Sequence, residues 1–206
     1  MEYGQDRLWL VIVANLRSMK KDIWLISHSP RRAQLLRDLD LEFRIGEAHV
    51  EEVYPAEMSP EDIPVYLSKL KADAAEVPMT NDTLIITADT IVWAEGRVLG
   101  KPADAAEAYS MLRLLSGKTH QVITGVTLRS LDRSKSFYVK SDVTFRVLRD
   151  EDIHRYIRKC RPYDKAGAYG IQEWIGMVGV ESVSGSFYNV MGLPTSRVYE
   201  EIREFL

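Results

Sequence analysis

The stretch from residue 23 to residue 32, IWLISHSPRR, indicates the class of fold. Its first four residues, Ile23–Ile26, are apolar and predict a short buried strand. Ser29 and Pro30 follow as a helix N-cap and a first helical position, and the leucines within residues 35–39 then form one apolar stripe. A helix that begins directly after a strand is typical of an α/β protein.

Strand and helix patterns alternate through the rest of the chain. Apolar, β-branched runs predict three more strands, at Leu84–Thr87, Val122–Leu128 and Phe137–Val147. Helices are predicted over Ser59–Ala75, after the capping-box pair Asp104 and Glu107, after the N-cap Asp150, and from Pro194 onward. The last two strands are close enough in sequence to pair as a long hairpin. With no internal repeat or long linker, we expect an α/β protein whose strand order the pattern does not determine.

The overall composition excludes several classes of protein. With 206 residues, of which 46% are hydrophobic, the chain can bury a core in one domain or in two small lobes. A formal net charge of -3 gives no general electrostatic footprint for DNA or RNA, so any phosphate site must be local. Cys160 is the single cysteine, which rules out an internal disulfide bond and fits the reducing cytoplasm.

A short apolar run, LWLVIVA, extends from Leu8 to Ala14 near the start of the chain. It is too short to cross a bilayer, and most of the nearby basic residues follow it, whereas a secretory signal places them before its apolar core. We therefore expect neither export nor a membrane partner. Met19 stands just before the first predicted strand. We hypothesise that residues 1–18 are a dispensable extension or the product of an upstream start codon, and that residues 19–206 form one domain.

The segment Ser27–Arg32 is the first candidate for a ligand site. It places hydroxyl groups at the end of a strand and two arginines, Arg31 and Arg32, in the first turn of a helix. Free N–H groups at a helix N-terminus attract anions, and guanidinium groups match phosphate oxygens in pairs. The alternative is that both arginines are solvated surface residues. The helix dipole disfavours cations at this end, and this misplacement favours a phosphate site.

Asp89, the second candidate, interrupts the apolar run Thr87–Val92. An unpaired buried carboxylate is costly, whereas at a strand end it would face the crevice where α/β proteins bind ligands. There it could hold a divalent cation or accept a proton from water. The alternative is an aspartate in a turn, and spacing alone does not decide between the two.

Two loops add weaker candidates. Gly100–Pro102 presents Lys101, a point charge suited to a phosphate tail. Asp164–Gln172, DKAGAYGIQ, combines small residues with a terminal amide, as expected where backbone approaches a flat ligand. An ordinary glycine-rich loop has the same composition. Neither loop identifies a function by itself.

Common motifs of nucleotide-binding proteins and hydrolases are incomplete in this chain. The GKT at residues 117–119 lacks the first glycine of a Walker A loop, because that position holds Leu112. No G-x-S-x-G nucleophile elbow is present, and the four histidines show no paired spacing for zinc. The sequence therefore gives no support for a P-loop enzyme, a serine hydrolase of that type or a zinc enzyme.

Six segments occur along the chain in this order: SHSPRR, ADTIV, GKP, LSGKTHQVITGV, DKAGAYGIQ and GSFYNVMGLP. Together they resemble the signature segments of the Maf family of nucleotide pyrophosphatases, and the resemblance covers Lys20–Leu206. It implies an α/β fold with a mixed sheet, flanking helices and two lobes around a central cleft, related to the inosine triphosphate pyrophosphatases. It also implies a homodimer.

The resemblance assigns roles to nine residues. It implies catalytic roles for Asp89, as the proton acceptor, and for Lys101. It implies that Glu52 and Asp89 contact a divalent cation, Mg²⁺ or Mn²⁺. The positions matched to substrate binding are Ser29, Arg31, Arg32, Lys71, Thr90 and Gln172, and three of these, Arg31, Thr90 and Gln172, are linked to the choice of base.

The DKAGAYGIQ segment resembles the branch of the family that acts on dTTP and UTP. The implied reaction is hydrolysis at the α-phosphorus to the monophosphate and pyrophosphate. A glutamine amide fits these bases, because it can accept a hydrogen bond from the ring N3–H while donating to a ring carbonyl, and cytosine lacks that N3–H. Two alternatives stay open: the sister branch, which prefers 7-methyl-GTP, and a septum-related regulatory binding protein without turnover.

Overall fold

A computed structural model of the protein describes residues 21–205. The hypothesis about residues 1–18 falls outside the described residues. None of the helices within residues 21–205 has the length and apolar character needed to cross a membrane.

The described residues form seven strands, seven α-helices and one short 3-10 helix. The strands are β1 (Asp22–Ile26), β2 (Arg44–Gly46), β3 (Thr83–Ala94), β4 (Arg97–Leu99), β5 (Thr119–Arg129), β6 (Ser134–Phe145) and β7 (Val180–Ser184). The helices are α1 (Pro30–Arg37), α2 (Asp62–Asp73), α3 (Ala105–Leu115), α4 (Asp150–Cys160), α5 (Trp174–Gly179), α6 (Phe187–Met191) and α7 (Thr195–Arg203). The 3-10 helix is Ala166–Ala168.

All seven strands belong to one mixed sheet, in the order β2-β1-β3-β5-β6-β7, with β4 paired to β3. β1 is parallel to β2 and β3 because crossovers containing α1 and α2 connect these strands. β5, β6 and β7 continue the sheet in antiparallel fashion, and a short turn at residues 130–133 joins β5 to β6 as the predicted hairpin. The implied mixed sheet with flanking helices is therefore confirmed.

β3 has a gap along one of its edges. On one edge, β5 pairs with β3 without interruption from Ile85 to Trp93. On the other edge, β1 pairs with Thr83–Thr87 and β4 with Val92–Ala94, so no strand of the described chain covers residues 88–91. The sheet is therefore split on this edge into a β1 side and a β4 side, and a cleft lies between them.

Two hydrophobic cores lie on one face of the sheet, on either side of this gap. Near β1, Leu84 and Ile86 belong to a core that includes apolar residues of α1 and α7. Near β4, Val92 belongs to a second core with residues of α3 and α4. On the opposite face, Leu67 of α2 packs with Ile91. Two cores on either side of a cleft agree with the implied two-lobed architecture.

The position of Asp89 corrects one prediction. The predicted strand Leu84–Thr87 is too short, because β3 continues through Asp89 to Ala94. Asp89 therefore lies in the middle of a strand, not at its end or in a turn. It still faces a crevice, since the neighbouring strand β1 ends at Ile26, which pairs with Thr87.

One predicted helix cap is also wrong. Asp150 is the first residue of α4, and its N-cap is Arg149, which makes no side-chain capping bond. The Asp150 carboxylate instead accepts a hydrogen bond from the Tyr109 hydroxyl at 2.8 Å. At the start of α3, by contrast, Asp104 Oδ1 accepts from the backbone N–H of Glu107 at 2.9 Å, as predicted.

Gly125 of β5 pairs with Asp89 and lies beneath the first turn of α2. A Cβ atom at this position would lie 2.2 Å from the carbonyl carbon of Pro64 and 2.3 Å from the nitrogen of Val65. We expect Gly125→Ala to lower the free energy of unfolding by about 1–3 kcal/mol, because α2 must move off the sheet. Urea denaturation measures this loss. Gly100→Ala is the control, since nothing lies within 4 Å of its Cβ position, and equal losses in both variants would contradict the packing argument.

Candidate active site

A cleft of about 820 Å³ opens at the gap in the edge of β3. One wall is formed by the end of β1 and the beginning of α1, and the other by the loop after β4 and the segment around the 3-10 helix. The middle of β3 lies between the two walls. The volume is in the range of small-molecule sites, which is roughly 300–1,000 Å³.

All nine residues singled out from the sequence line this one cleft. They are Ser29, Arg31, Arg32, Glu52, Lys71, Asp89, Thr90, Lys101 and Gln172. They come from α1, the segment after β2, α2, β3, the loop after β4 and the loop after the 3-10 helix. Their convergence in space is therefore confirmed, whereas their individual roles stay predictions.

Arg32 reaches from the first turn of α1 into the cleft. Ser29 caps this helix by accepting a hydrogen bond from the Arg32 backbone N–H at 3.5 Å. Arg32 Nε donates to the carbonyl oxygen of Gly192 at 2.8 Å, and its Nη2 donates to Thr90 Oγ1 at 2.9 Å. Burial lowers the pKa of the guanidinium, against the opposing charge of Asp89, but arginine remains protonated in proteins. Because its partners here are neutral, its positive charge is available to an anion.

Lys71 of α2 joins two carboxylates. Its Nζ donates to Asp89 Oδ1 at 2.5 Å and lies 2.7 Å from Glu52 Oε1. Partial burial raises the pKa of Glu52, but the hydrogen bond and charge of Lys71, with help from Lys101 and Arg32, outweigh burial and hold that pKa below its ordinary value. Glu52 is therefore ionised at neutral pH.

Asp89 and Thr90 are adjacent on β3, and their side chains point to opposite faces of the sheet. Asp89 meets Lys71 of α2 on one face, whereas Thr90 meets Arg32 of α1 on the other. The Thr90 hydroxyl also shares a 2.9 Å hydrogen bond with Thr124 of β5. The gap in the edge of β3 is what lets both faces contribute to one cleft.

The carboxylates set a limit on the kind of metal that the cleft can hold. Within residues 21–205, no group of three or more His, Cys, Asp and Glu side chains is arranged to hold a metal ion. Two carboxylates of the cleft, Glu52 and Asp89, lie close together and are joined by Lys71. Mg²⁺ is usually bound by one or two carboxylates together with substrate phosphates. These residues therefore fit a divalent cation that is coordinated both by these carboxylates and by phosphate oxygens of a substrate.

Comparison with known proteins identifies the family. The family model described as Maf-like protein matches residues 22–205. The chain belongs to the Maf family. This Maf chain is 49% identical over 195 residues to a Parabacteroides distasonis protein named dTTP/UTP pyrophosphatase. The alignment covers 94% of this chain and 100% of that protein. A Bacteroides thetaiotaomicron protein of the same name is 51% identical over 186 residues, and that alignment covers 90% of this chain and 96% of the relative.

Among solved structures, the Staphylococcus aureus Ham1 protein matches this Maf chain with a TM-score of 0.43 and 14% sequence identity. That match covers 61% of this chain and 72% of the Ham1 chain.

In this Maf protein, the loop after α4 adds charged residues that the sequence did not single out. Asp164 accepts hydrogen bonds from Arg31 Nη1 at 2.9 Å and from Lys165 Nζ at 2.7 Å. Lys165 is only 7% exposed and also lies 3.1 Å from Glu173 Oε1. The signal that could have identified them is the pair of an acidic and a basic residue directly before several small residues.

Tyr169 and Gln172 of the DKAGAYGIQ segment also line the cleft. Tyr169 is buried, and its hydroxyl shares a 2.7 Å hydrogen bond with His120 Nε2. Burial lowers the pKa of His120 to about 4 and raises that of Tyr169, so both side chains are neutral at physiological pH. This pair holds the tyrosine ring in the wall of the cleft, while the side chain of Gln172 is exposed.

The buried His120 makes stability depend on pH. Its pKa is about 4 in the folded chain, against an ordinary value of 6.5, so the unfolded chain binds the proton more tightly and stability is lost as pH falls from 6.5 toward 4. Between about pH 7.5 and pH 5, this group lowers the free energy of unfolding by about 2 kcal/mol.

We expect His120→Gln to remove this contribution, because glutamine does not titrate and can still donate to Tyr169. Urea denaturation of both proteins at the two pH values measures the difference between their losses. The same pH dependence in wild type and variant would show that His120 is not protonated on unfolding.

Proposed function

We propose that this Maf protein hydrolyses dTTP and UTP at the α-phosphorus, releasing pyrophosphate and the nucleoside monophosphate. Relatives that are 49% and 51% identical carry the name dTTP/UTP pyrophosphatase. The observation that carries the proposal is that Asp89 and three cations, Arg32, Lys71 and Lys101, line one cleft. Hydrolysis of a phosphoanhydride needs such cations around the charge that develops on the phosphate oxygens.

The cations would neutralise the triphosphate from both walls. Arg32 lies in the first turn of α1, where free backbone N–H groups also attract phosphate. Lys101 approaches from the loop after β4, on the opposite wall. In this arrangement Lys101 contributes to catalysis by stabilising the negative charge on the departing pyrophosphate.

Asp89 would act as the proton acceptor. The oxygen of a water molecule attacks the α-phosphorus, the bond between this phosphorus and the pyrophosphate oxygen breaks, and the water proton passes to the Asp89 carboxylate. The 2.5 Å hydrogen bond from Lys71 fixes that carboxylate, and the pairing of β3 with β5 fixes its backbone.

A divalent cation, Mg²⁺ or Mn²⁺, completes the proposed site. Glu52 and Asp89 would hold it together with phosphate oxygens of the substrate. When bound, the ion polarises a phosphoryl oxygen and neutralises charge in the transition state. Without it, Lys71 neutralises the two carboxylates.

We propose that Gln172 recognises the base. Its amide can accept from the N3–H of thymine or uracil and donate to a neighbouring carbonyl, a pattern that cytosine cannot satisfy. Arg31 and Thr90 are proposed to contribute to the same choice. The identities to the dTTP/UTP pyrophosphatases disfavour the two alternatives, a 7-methyl-GTP pyrophosphatase and a regulatory binding protein without turnover.

We further propose a cytoplasmic homodimer that binds no nucleic acid. The resemblance to the family supports the dimer, the single cysteine supports the reducing compartment, and the net charge of -3 disfavours nucleic-acid binding. The family match over residues 22–205 supports one domain that begins near residue 19.

Asp89→Asn tests the role of the carboxylate. We expect the rate of pyrophosphate release from dTTP to fall about 10²–10⁴-fold, because the amide cannot accept the water proton. Asp73→Asn is the control, since Asp73 pairs with Arg129 outside the cleft. A wild-type rate for Asp89→Asn would exclude Asp89 as the base.

Pyrophosphate release from dTTP, UTP, CTP and 7-methyl-GTP, each with Mg²⁺ and with a chelator, tests the substrate and the metal. We expect release from dTTP and UTP with Mg²⁺, much slower release from CTP and 7-methyl-GTP, and none with the chelator, because the ion would polarise a phosphoryl oxygen and separate the substrate's charge from the Glu52 and Asp89 carboxylates. A preference for 7-methyl-GTP would place the protein in the sister branch. No release from any nucleotide would support the binding role.

A further inference from the structure

Lys165 is a buried lysine that no step of the proposed reaction uses. It lines the cleft and is 7% exposed. Its Nζ donates to Asp164 Oδ1 at 2.7 Å and lies 3.1 Å from Glu173 Oε1, so one ammonium group joins two carboxylates. Burying a charge is costly unless it is paired, and this double pairing stabilises a defined position of the side chain.

Through Glu173, Lys165 is connected to the segment that carries Gln172. The other oxygen of Glu173, Oε2, accepts a hydrogen bond from the hydroxyl of Tyr156, which is fully buried. The same hydroxyl accepts from the backbone N–H of Gly170 at 3.0 Å. The chain is therefore held on both sides of Gln172, at Gly170 and at Glu173.

Through Asp164, Lys165 is connected to Arg31 on the opposite wall of the cleft. Asp164 Oδ1 accepts from Lys165, and its Oδ2 accepts from Arg31 Nη1 at 2.9 Å. Its neighbour Arg32 bonds instead to Gly192 and Thr90. The two adjacent arginines are held by different partners.

We propose that Lys165 is a positioning residue which, by joining Asp164 to Glu173, fixes two of the three side chains proposed to select the base, Arg31 and Gln172. This inference rests on the proposed function, because it takes from it the role of those two side chains. Lys165 acts through its carboxylate partners and does not itself contact the reacting phosphate.

The ratio of two substrates separates this role from general damage to the fold. A variant that is merely less stable has fewer active molecules, and this lowers kcat/KM for every nucleotide by the same factor. A shifted Gln172 loses more with thymine, which offers the matching N3–H, than with cytosine, which does not. A loss of active molecules therefore leaves the ratio of kcat/KM for dTTP to kcat/KM for CTP unchanged, whereas a shifted Gln172 lowers it.

The test is Lys165→Met, which keeps the length of the side chain and removes its charge. We expect the dTTP to CTP ratio to fall about tenfold, mainly through a higher KM for dTTP, because small displacements of a positioning group have large effects. Lys135→Met is the matched control: Lys135 also joins two carboxylates, those of Glu201 and Glu204, but it does not line the cleft. Thermal unfolding of each variant shows that it is folded.

Two milder variants keep the test decisive if Lys165→Met does not fold. Asp164→Asn weakens the ion pairs of this residue with Arg31 and Lys165 but leaves Lys165 paired with Glu173, and Tyr156→Phe removes only the hydroxyl that holds Gly170 and Glu173. We expect each to lower the dTTP to CTP ratio. An unchanged ratio in both variants, or an equal loss with both nucleotides in Lys165→Met, would overturn the inference.

Gln172→Ala separates the failure of this inference from the failure of the proposed function. If Gln172→Ala lowers the ratio while the Lys165, Asp164 and Tyr156 variants do not, the base is read as proposed and the positioning role is wrong. If the wild-type protein releases no pyrophosphate from dTTP, the proposed function has failed and the positioning role fails with it.

Discussion

The interrupted edge of β3 is the constraint on which the site depends. β1 pairs with β3 only as far as Thr87 and β4 pairs with it from Val92, so a short stretch of the central strand has no neighbouring strand on that side. The two hydrophobic cores separate there, and the start of α1 and the loop bearing Lys101 reach the same point from opposite sides. β5 keeps the sheet in one piece along its other edge. Strand pairing, and not a long loop, therefore creates the cleft.

The cations of the cleft are held in unequal ways. Lys71 and Lys165 each contact two carboxylates, and Arg31 contacts one. Arg32, in contrast, bonds to a carbonyl and a hydroxyl, which leave its charge uncompensated by direct partners. An incoming polyanion therefore meets an uncompensated charge at the beginning of α1, where the helix N-terminus adds its own positive end.

Much of this arrangement could be predicted from local sequence. The strand, cap and proline at residues 23–30 were readable because each has a local physical signal. The extent of β3 was not, since a carboxylate inside an apolar run is costly unless a distant lysine neutralises it, and Lys71 comes from another element. The ion pairs of Asp164 and Glu173 were missed for the same reason: their partners are set by tertiary packing. Short elements such as β2 and β4 have too few residues to show a period.

The unbroken pairing of β3 with β5 also bears on how a ligand enters. Both lobes are built on these two strands. A rotation of one lobe against the other would strain the backbone hydrogen bonds that join the stretch Ile85–Trp93 of β3 to β5. The backbone pairing shared by both lobes therefore constrains the width between the walls. Fit to the space between these walls is then a criterion that any ligand of the cleft must meet.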